Sequence, residues 1–302
     1  MDWNDRTVIF AQPGETIHFT YDVPEDYVVT KEEWLWYFCY TNGRSATLYD
    51  GEYGESHMEG YTYEPTGIHV EWDGKGSISL SANEMVRIQL HLNEYEYLFA
   101  YVVVADPAEY YTYEIQSGEA TITGYNKDLL RRKVLIPEEI EGCPVTTIGD
   151  RAFYDMPSGI GKEFYIPDNV TTFGKEAFAA SAYLDSVRMP QKLTKMGEGV
   201  FAACLQMHFL EIPDSLTEIP DYAFTNCWGY GEVNKYSAEQ SIGRVEQCVG
   251  KNVTKIGKYA FAGCWNMGKA WGDGRLPEKL ESIGEGAFQY CYCLLYTSPS
   301  PR

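Results

Sequence analysis

The sequence predicts a mostly β protein, a parallel β-solenoid preceded by an antiparallel β-sandwich. Two observations carry that expectation. From about residue 110 onward one frame of residues keeps returning, and before it short apolar-aromatic runs alternate with Gly, Pro, Asn and Asp.

The frame is plainest at Ile212-Pro213-Asp214-Ser215-Leu216-Thr217-Glu218-Ile219-Pro220-Asp221-Tyr222-Ala223-Phe224-Thr225-Asn226-Cys227. It recurs at 166–181, 189–204, 249–264 and 276–291. An apolar residue, usually followed by Pro, leads to a second apolar residue seven positions on. An Ala-Phe or Val-Phe pair follows four positions after that. The recurring Phe are Phe153, Phe178, Phe201, Phe224, Phe261 and Phe288, with spacings of 25, 23, 23, 37 and 27, so the unit is 23 residues with insertions between some copies. A fixed period of this length marks a stacked repeat array, in which neighbouring coils bury what one coil cannot.

Within the unit, Phe164/Ile166, Val187/Met189 and Leu210/Ile212 alternate with Glu163/Tyr165, Ser186/Arg188 and Phe209/Glu211, as a short strand with one buried face requires. Pro after the strand removes a ladder donor and ends it. Gly174, Gly197, Gly257 and Gly284 are expected to permit the turn into the Ala-Phe segment. Cys204, Cys227, Cys264 and Cys291 share one repeat position and should stack as a column. Parallel Cβ vectors disfavour disulfides along such a column, and no zinc-ligand spacing accompanies it, so reduced, buried, metal-free thiols are expected.

These residues resemble the BspA-like leucine-rich repeat family of bacterial and protist surface proteins, over roughly residues 110–292. The apolar-Pro step, then Ile-Gly, then Ala-Phe and Cys, carries the likeness. So does the entry segment, with Tyr113, 120–125, Ile136-Pro137 and 142–149. The departures are Val249-Gly250 for Ile-Pro, Pro220 for Gly, and Met156 and Ser181 for Cys. The resemblance implies a leucine-rich-repeat-type solenoid of about six coils over 109–292, and an extracellular or cell-surface location.

Residues 1–108 read differently. Apolar-aromatic runs at 7–11, 16–21, 34–40, 46–49, 67–72, 77–80, 85–92 and 97–104 predict eight short strands, an immunoglobulin-like or jelly-roll-like sandwich. At the other end, residues 293–302 (Cys-Leu-Leu-Tyr-Thr-Ser-Pro-Ser-Pro-Arg) read as the in-frame translation of a transposase adapter used in DNA sequencing. They are expected to be a non-native tail outside the fold. Met1-Asp2-Trp3-Asn4-Asp5 has neither the basic start nor the apolar run of a signal peptide.

The formal net charge is −20. Residues 1–108 hold 19 acidic and 5 basic side chains, leaving 25 and 19 for the rest. A surface this acidic repels phosphate backbones and anionic lipid, which argues against nucleic acid as a partner. No window approaches the roughly 18 apolar residues of a membrane span, so no membrane insertion is expected in this stretch.

Motifs of chemistry are wanting. The five His are scattered, and Gly197-Glu198-Gly199-Val200-Phe201-Ala202 matches a dinucleotide fingerprint only by letters, at a repeat turn with no strand-to-helix context. Gly159-Ile160-Gly161-Lys162 lacks the hydroxyl and spacing of a phosphate loop, and Asp73-Gly74-Lys75-Gly76 reads as a turn. No catalytic residue, cofactor or metal site is expected.

Two features could bind a partner. One is the outward strand column, with Glu163, Tyr165, Ser186, Arg188, Phe209, Glu211, Glu246, Asp273 and Arg275. The other is the pair of insertions after Cys227 and Cys264, with Trp228, Tyr230 and Tyr236, then Trp265, Trp271 and Asp273. Insertions in solenoids emerge on one edge, and Trp and Tyr supply large contact area. The expected function is an extracellular or surface adhesion module recognising a protein or glycan ligand on a host or neighbouring cell. The alternatives are a structural spacer, or an accessory domain of a secreted hydrolase whose catalytic part lies elsewhere.

Overall fold

The computed structural model describes the backbone of eight strands between residues 6 and 104, and residues 106–130, 133–207, 210, 212–228, 249–265 and 276–291. The chain divides into two units, Met1–Glu109 and Tyr110–Arg302.

In the first unit the eight strands fall where the apolar-aromatic runs predict them. They are β1 (Arg6–Ala11), β2 (Thr16–Phe19), β3 (Leu35–Tyr40), β4 (Ser45–Tyr49), β5 (Ile68–Trp72), β6 (Gly76–Leu80), β7 (Met85–His91) and β8 (Tyr97–Val104). They make a five-stranded sheet in the order β1-β8-β7-β3-β4 and a three-stranded sheet in the order β2-β5-β6. Most pairs are antiparallel, but β1 runs parallel to β8 and β2 parallel to β5. Alternation along a strand has the same period in either direction, so the two parallel pairs left no mark in the sequence.

The second unit follows a four-residue helix, α1 (Pro107–Tyr110), and opens with an antiparallel hairpin of β9 (Tyr111–Gln116) and β10 (Glu119–Tyr125). Its two turn residues, Ser117 and Gly118, have φ of 57° and 82°, the positive pair that a tight two-residue hairpin needs. From there the chain coils. Strand β10 pairs in parallel with β13 (Cys143–Ile148), β13 with β15 (Thr172–Phe173), and β15 with β17 (Lys195–Met196). A second parallel sheet joins β11 (Lys133–Leu135), β14 (Glu163–Tyr165) and β16 (Ser186–Arg188). A third joins β18 (Glu218–Ile219), β19 (Lys255–Ile256) and β20 (Ser282–Ile283). The short strand β12 (Glu139–Ile140) folds back antiparallel on β13. The result is the parallel β-solenoid expected from the repeat.

A column of aromatic rings runs through the core, flanked by buried aliphatic side chains and by Phe164 and Phe173. Phe153, Phe178, Phe201, Phe224 and Phe261 have no exposed surface, and Phe288 on the last described coil is half-buried. Successive rings stack at centroid distances of 5.5, 5.0, 5.5, 5.1 and 5.5 Å, with interplanar angles of 14° or less. Tyr125 of the opening hairpin lies on the first ring at 5.6 Å, so it caps the column.

The backbone around each Phe explains that spacing. The residues two before and two after every Phe have positive φ between 51° and 76°, as in Arg151 and Asp155, Glu176 and Ala180, or Tyr222 and Asn226. With these turns, three alternate N–H groups per coil donate to the next coil: Tyr222 to Lys258, Phe224 to Ala260 and Asn226 to Ala262, at 2.7–2.8 Å. Left-handed backbone is costly for residues with a Cβ, by roughly 1–2 kcal/mol each. The inter-coil hydrogen bonds and the buried ring offset that cost in each coil.

The glycines that follow the second apolar position serve a different purpose from the one expected. Gly174, Gly197, Gly257 and Gly284 do not adopt positive φ. Instead they are where one coil's backbone lies against the next: a Cβ on Gly284 would stand 2.5 Å from the Gly257 carbonyl carbon and the Lys258 nitrogen. Close approach, rather than turn conformation, excludes a side chain. Their N–H groups carry the ladder, from Gly174 to Ile148, Gly197 to Phe173, Gly257 to Ile219 and Gly284 to Ile256. Pro220 occupies this position in its coil and has no N–H to give. That is where the sheet of β17 ends and the sheet of β18 begins.

Candidate functional site

The outward aromatic residues of two adjacent coils form two further stacks beside the Phe column. Trp228 and Trp265 each follow the column cysteine of their coil, and their rings stack at 5.1 Å and 10°. They are 42% and 47% exposed, so the pair stands on the surface. Tyr222 and Tyr259 each precede the coil's Phe by two positions and stack at 5.6 Å and 13°. Tyr222 is 40% exposed and Tyr259 half-buried. One pitch sets all three stacks, since Phe224 and Phe261 between them lie 5.1 Å apart. Offset-parallel rings at such separations attract one another, so the surface rings hold a defined geometry before any partner arrives.

The sequence singled out the tryptophans but not the tyrosines. Aligning the repeats on Phe would have shown Tyr222 and Tyr259 in one column. Their left-handed backbone, φ 60° and 52°, has no signature of its own in a Tyr.

The strand column divides. Lys133, Glu163 and Ser186 pair in register across β11, β14 and β16, and Lys133 Nζ is 3.5 Å from a Glu163 carboxylate oxygen. Ser186 is exposed and Arg188 half-buried. Tyr165 departs from the outward reading: it is 9% exposed, in register between Leu135 and Arg188, with the Lys133 ammonium 5.8 Å from its ring centroid. A half-wet strand face next to long side chains lets an aromatic ring lie flat under them, as here under Lys133. Tyr230, Phe209, Glu211, Trp271 and Arg275 lie outside the described residues, as do Tyr236, Glu246 and Asp273 and the tail 293–302.

The cysteine column is structural. Cys204, Cys227, Cys264 and Cys291 are buried free thiols, and each donates its S–H to the carbonyl of the Phe one coil earlier, Phe178, Phe201, Phe224 and Phe261, at 3.1–3.2 Å. Ser181 does the same to Phe153 at 2.8 Å, so the repeat wants a small donor here and Ser is an equivalent choice. Burial pushes the Cys227 thiol up to about 12, against a lowering hydrogen bond from the Cys204 backbone. Cys204 is raised well above the usual thiol range, first by burial and then by Cys227. A thiol held protonated and buried is a poor nucleophile and a poor metal ligand. Among the described residues no group of three or more His, Cys, Asp or Glu is placed to hold a metal ion. No described helix is long and apolar enough to cross a membrane.

The chain is similar to solved leucine-rich repeat proteins. A leucine-rich repeat protein of T. pallidum is 24% identical, with 62% of this chain and 89% of that one covered and a TM-score of 0.48. A leucine-rich cell surface protein of Faecalibacterium prausnitzii is 23% identical over 61% of this chain and 51% of its own, with a TM-score of 0.44, so the chain spans about half its length. A leucine-rich repeat protein of Bacteroides capillosus is 32% identical, over 36% of this chain and 81% of that one, with a TM-score of 0.33. No curated protein matches the chain. The profile of the "BspA type Leucine rich repeat region" matches residues 136–231 and 238–298 in six copies, just over half of the sequence. With its Phe column, Cys column and inter-coil glycines all in register, this chain belongs to the BspA-type leucine-rich repeat family.

Proposed function

We propose that the chain is a binding module, and not an enzyme, that acts at the cell surface or outside the cell and adheres to a protein partner through the aromatic edge of the coils of Phe224 and Phe261. The observation that supports this reading most is the exposed, pre-stacked pair Trp228/Trp265 on the same two coils as Tyr222/Tyr259. Exposed aromatic rings held rigidly lose little entropy on binding and are enriched at the energetic centre of protein interfaces.

The test is to find a ligand on an array of extracellular proteins and glycans, then titrate it against the parent and a Trp228→Ala/Trp265→Ala variant. Truncating two such rings should weaken binding by at least about thirtyfold while thermal unfolding stays the same. Unchanged affinity would move the site to the strand face of Glu163 and Ser186. Absence of any ligand would favour a spacer.

A further inference from the structure

The outward residues beside the Phe column form two rows, and the second carries no side chain at Gly199 or Gly286. Three positions before each Phe the chain places Asp150, Lys175, Glu198, Asp221, Lys258 and Glu285. Signs alternate from coil to coil except at one step, Glu198 to Asp221. Two positions before each Phe it places Arg151, Glu176, Gly199, Tyr222, Tyr259 and Gly286. Here Arg151 Nε is 3.4 Å from Glu176, and the next rung, Gly199, carries no side chain. The unbalanced step and the empty Gly199 rung belong to the same two coils.

Tyr222 ends the Tyr222/Tyr259 stack on that side. Since the two rings are nearly parallel and one coil apart, the outer face of Tyr222 looks along the solenoid towards the Gly199 rung. A Cβ built on Gly199 would meet nothing nearer than Glu176 Cγ at 3.4 Å and Ala202 Cβ at 3.8 Å. From the Glu176 rung to the Tyr222 rung is two coil spacings, roughly 10 Å, room for one planar group at the middle level. The chain fills a similar arrangement itself at its first coil. There the Arg151 guanidinium lies 3.8 Å over the Tyr154 ring while its Nε meets Glu176.

We propose that the Gly199 rung is a socket for an arginine side chain of a protein partner, stacked on the outer face of Tyr222 and ion-paired with Glu176 and Glu198. The guanidinium would continue the ring stack by one layer and add a second cation at Glu198, which Lys175 Nζ already meets at 3.2 Å, beside the like-charged Asp221 of the next coil. Arginine suits it better than lysine, because its flat, weakly hydrated fork both stacks on an aromatic face and bridges carboxylates. Residues 109–302 hold 25 acidic against 19 basic side chains, an excess that favours the approach of such a basic segment. This rests on the reading of the chain as a protein-binding module and assigns the partner's chemistry at the Tyr222 end of the same edge.

The probe is a labelled hexa-arginine peptide, titrated against the full chain by fluorescence anisotropy at low ionic strength, with hexa-lysine for comparison. Hexa-arginine should bind more tightly than hexa-lysine, and Tyr222→Ala should weaken it by about tenfold, the scale of a desolvated cation–π contact. Tyr222→Phe keeps the ring face and should bind like the parent. Gly199→Arg fills the socket from within and should abolish the preference for arginine. Its positive φ, 64°, is one that Glu176 and Tyr222 already adopt at the equivalent position. Trp228→Ala/Trp265→Ala should leave peptide binding unchanged, which separates this socket from the tryptophan edge. Equal binding of the two peptides, or binding that ignores both Tyr222→Ala and Gly199→Arg, would reduce the effect to general attraction by an acidic chain and overturn the proposal.

Discussion

Phe224→Ala removes a ring with no exposed surface that stacks on Phe201 at 5.5 Å and on Phe261 at 5.1 Å. Truncating a fully buried Phe typically costs about 3–5 kcal/mol, through lost transfer energy and the cavity left behind. Two ring stacks of about 0.5–1.5 kcal/mol each fall within that total and place this site at its upper end. The backbone beside the ring cannot collapse to fill the space. Tyr222, Phe224 and Asn226 are each tied by hydrogen bonds to the following coil. In a solenoid the damage falls on nearest-neighbour interfaces, so Phe224→Ala weakens the joints on both sides of its coil. Phe288, half-buried on the last described coil, should lose clearly less on the same substitution. Urea unfolding followed by circular dichroism measures both. A loss below about 1 kcal/mol for Phe224→Ala, or a loss equal to that of Phe288→Ala, would refute a buried column that sets the stability of the array.

Other consequences can be checked by the same means. Cys227→Ser keeps a donor for the Phe201 carbonyl, as Ser181 does for Phe153, and should cost less than Cys227→Ala, which gives up a net hydrogen bond of about 1 kcal/mol as well as volume. Because Cys204 and Cys227 hold their protons above the usual thiol range in the folded state, their contribution to stability is full below the unfolded thiol value of about 8.5. It is lost as pH rises from there through about 12 for Cys227, and the melting temperature of a Cys204→Ser/Cys227→Ser variant should fall less steeply over that window. Gly257→Ala would drive a Cβ into the Asp221 backbone and carboxylate of the preceding coil and should cost about 1–3 kcal/mol or more, whereas Gly118→Ala meets no atom within 4 Å and is limited to the strain of its turn.

Much of this was legible because the solenoid repeats its evidence. The spacing of Phe153 to Phe288 predicted the ring column, and the shared position of Cys204, Cys227, Cys264 and Cys291 predicted theirs. The position of Trp228 and Trp265 after equivalent cysteines predicted a common edge, and the two rings stack there. What stayed hidden depends on backbone geometry that residue types do not encode. Arg151, Glu176 and Tyr222 share a left-handed conformation without sharing any chemistry, so the turns that flank each Phe were invisible. The glycines looked like turn formers because sequence shows what is missing and not what lies against the gap. Tyr165 looked outward by alternation, yet Lys133, on a strand that the alternation had not marked, lies over its ring.

The measurement that bears most directly on the proposed function is hydrogen–deuterium exchange of the full chain with and without a captured protein partner. Binding at the aromatic edge should slow exchange at amides within 222–228 and 259–265 and leave 133–135, 163–165 and 186–188 as they are in the free chain. Protection confined to those three strands would contradict an aromatic-edge site and place the partner on the sheet face.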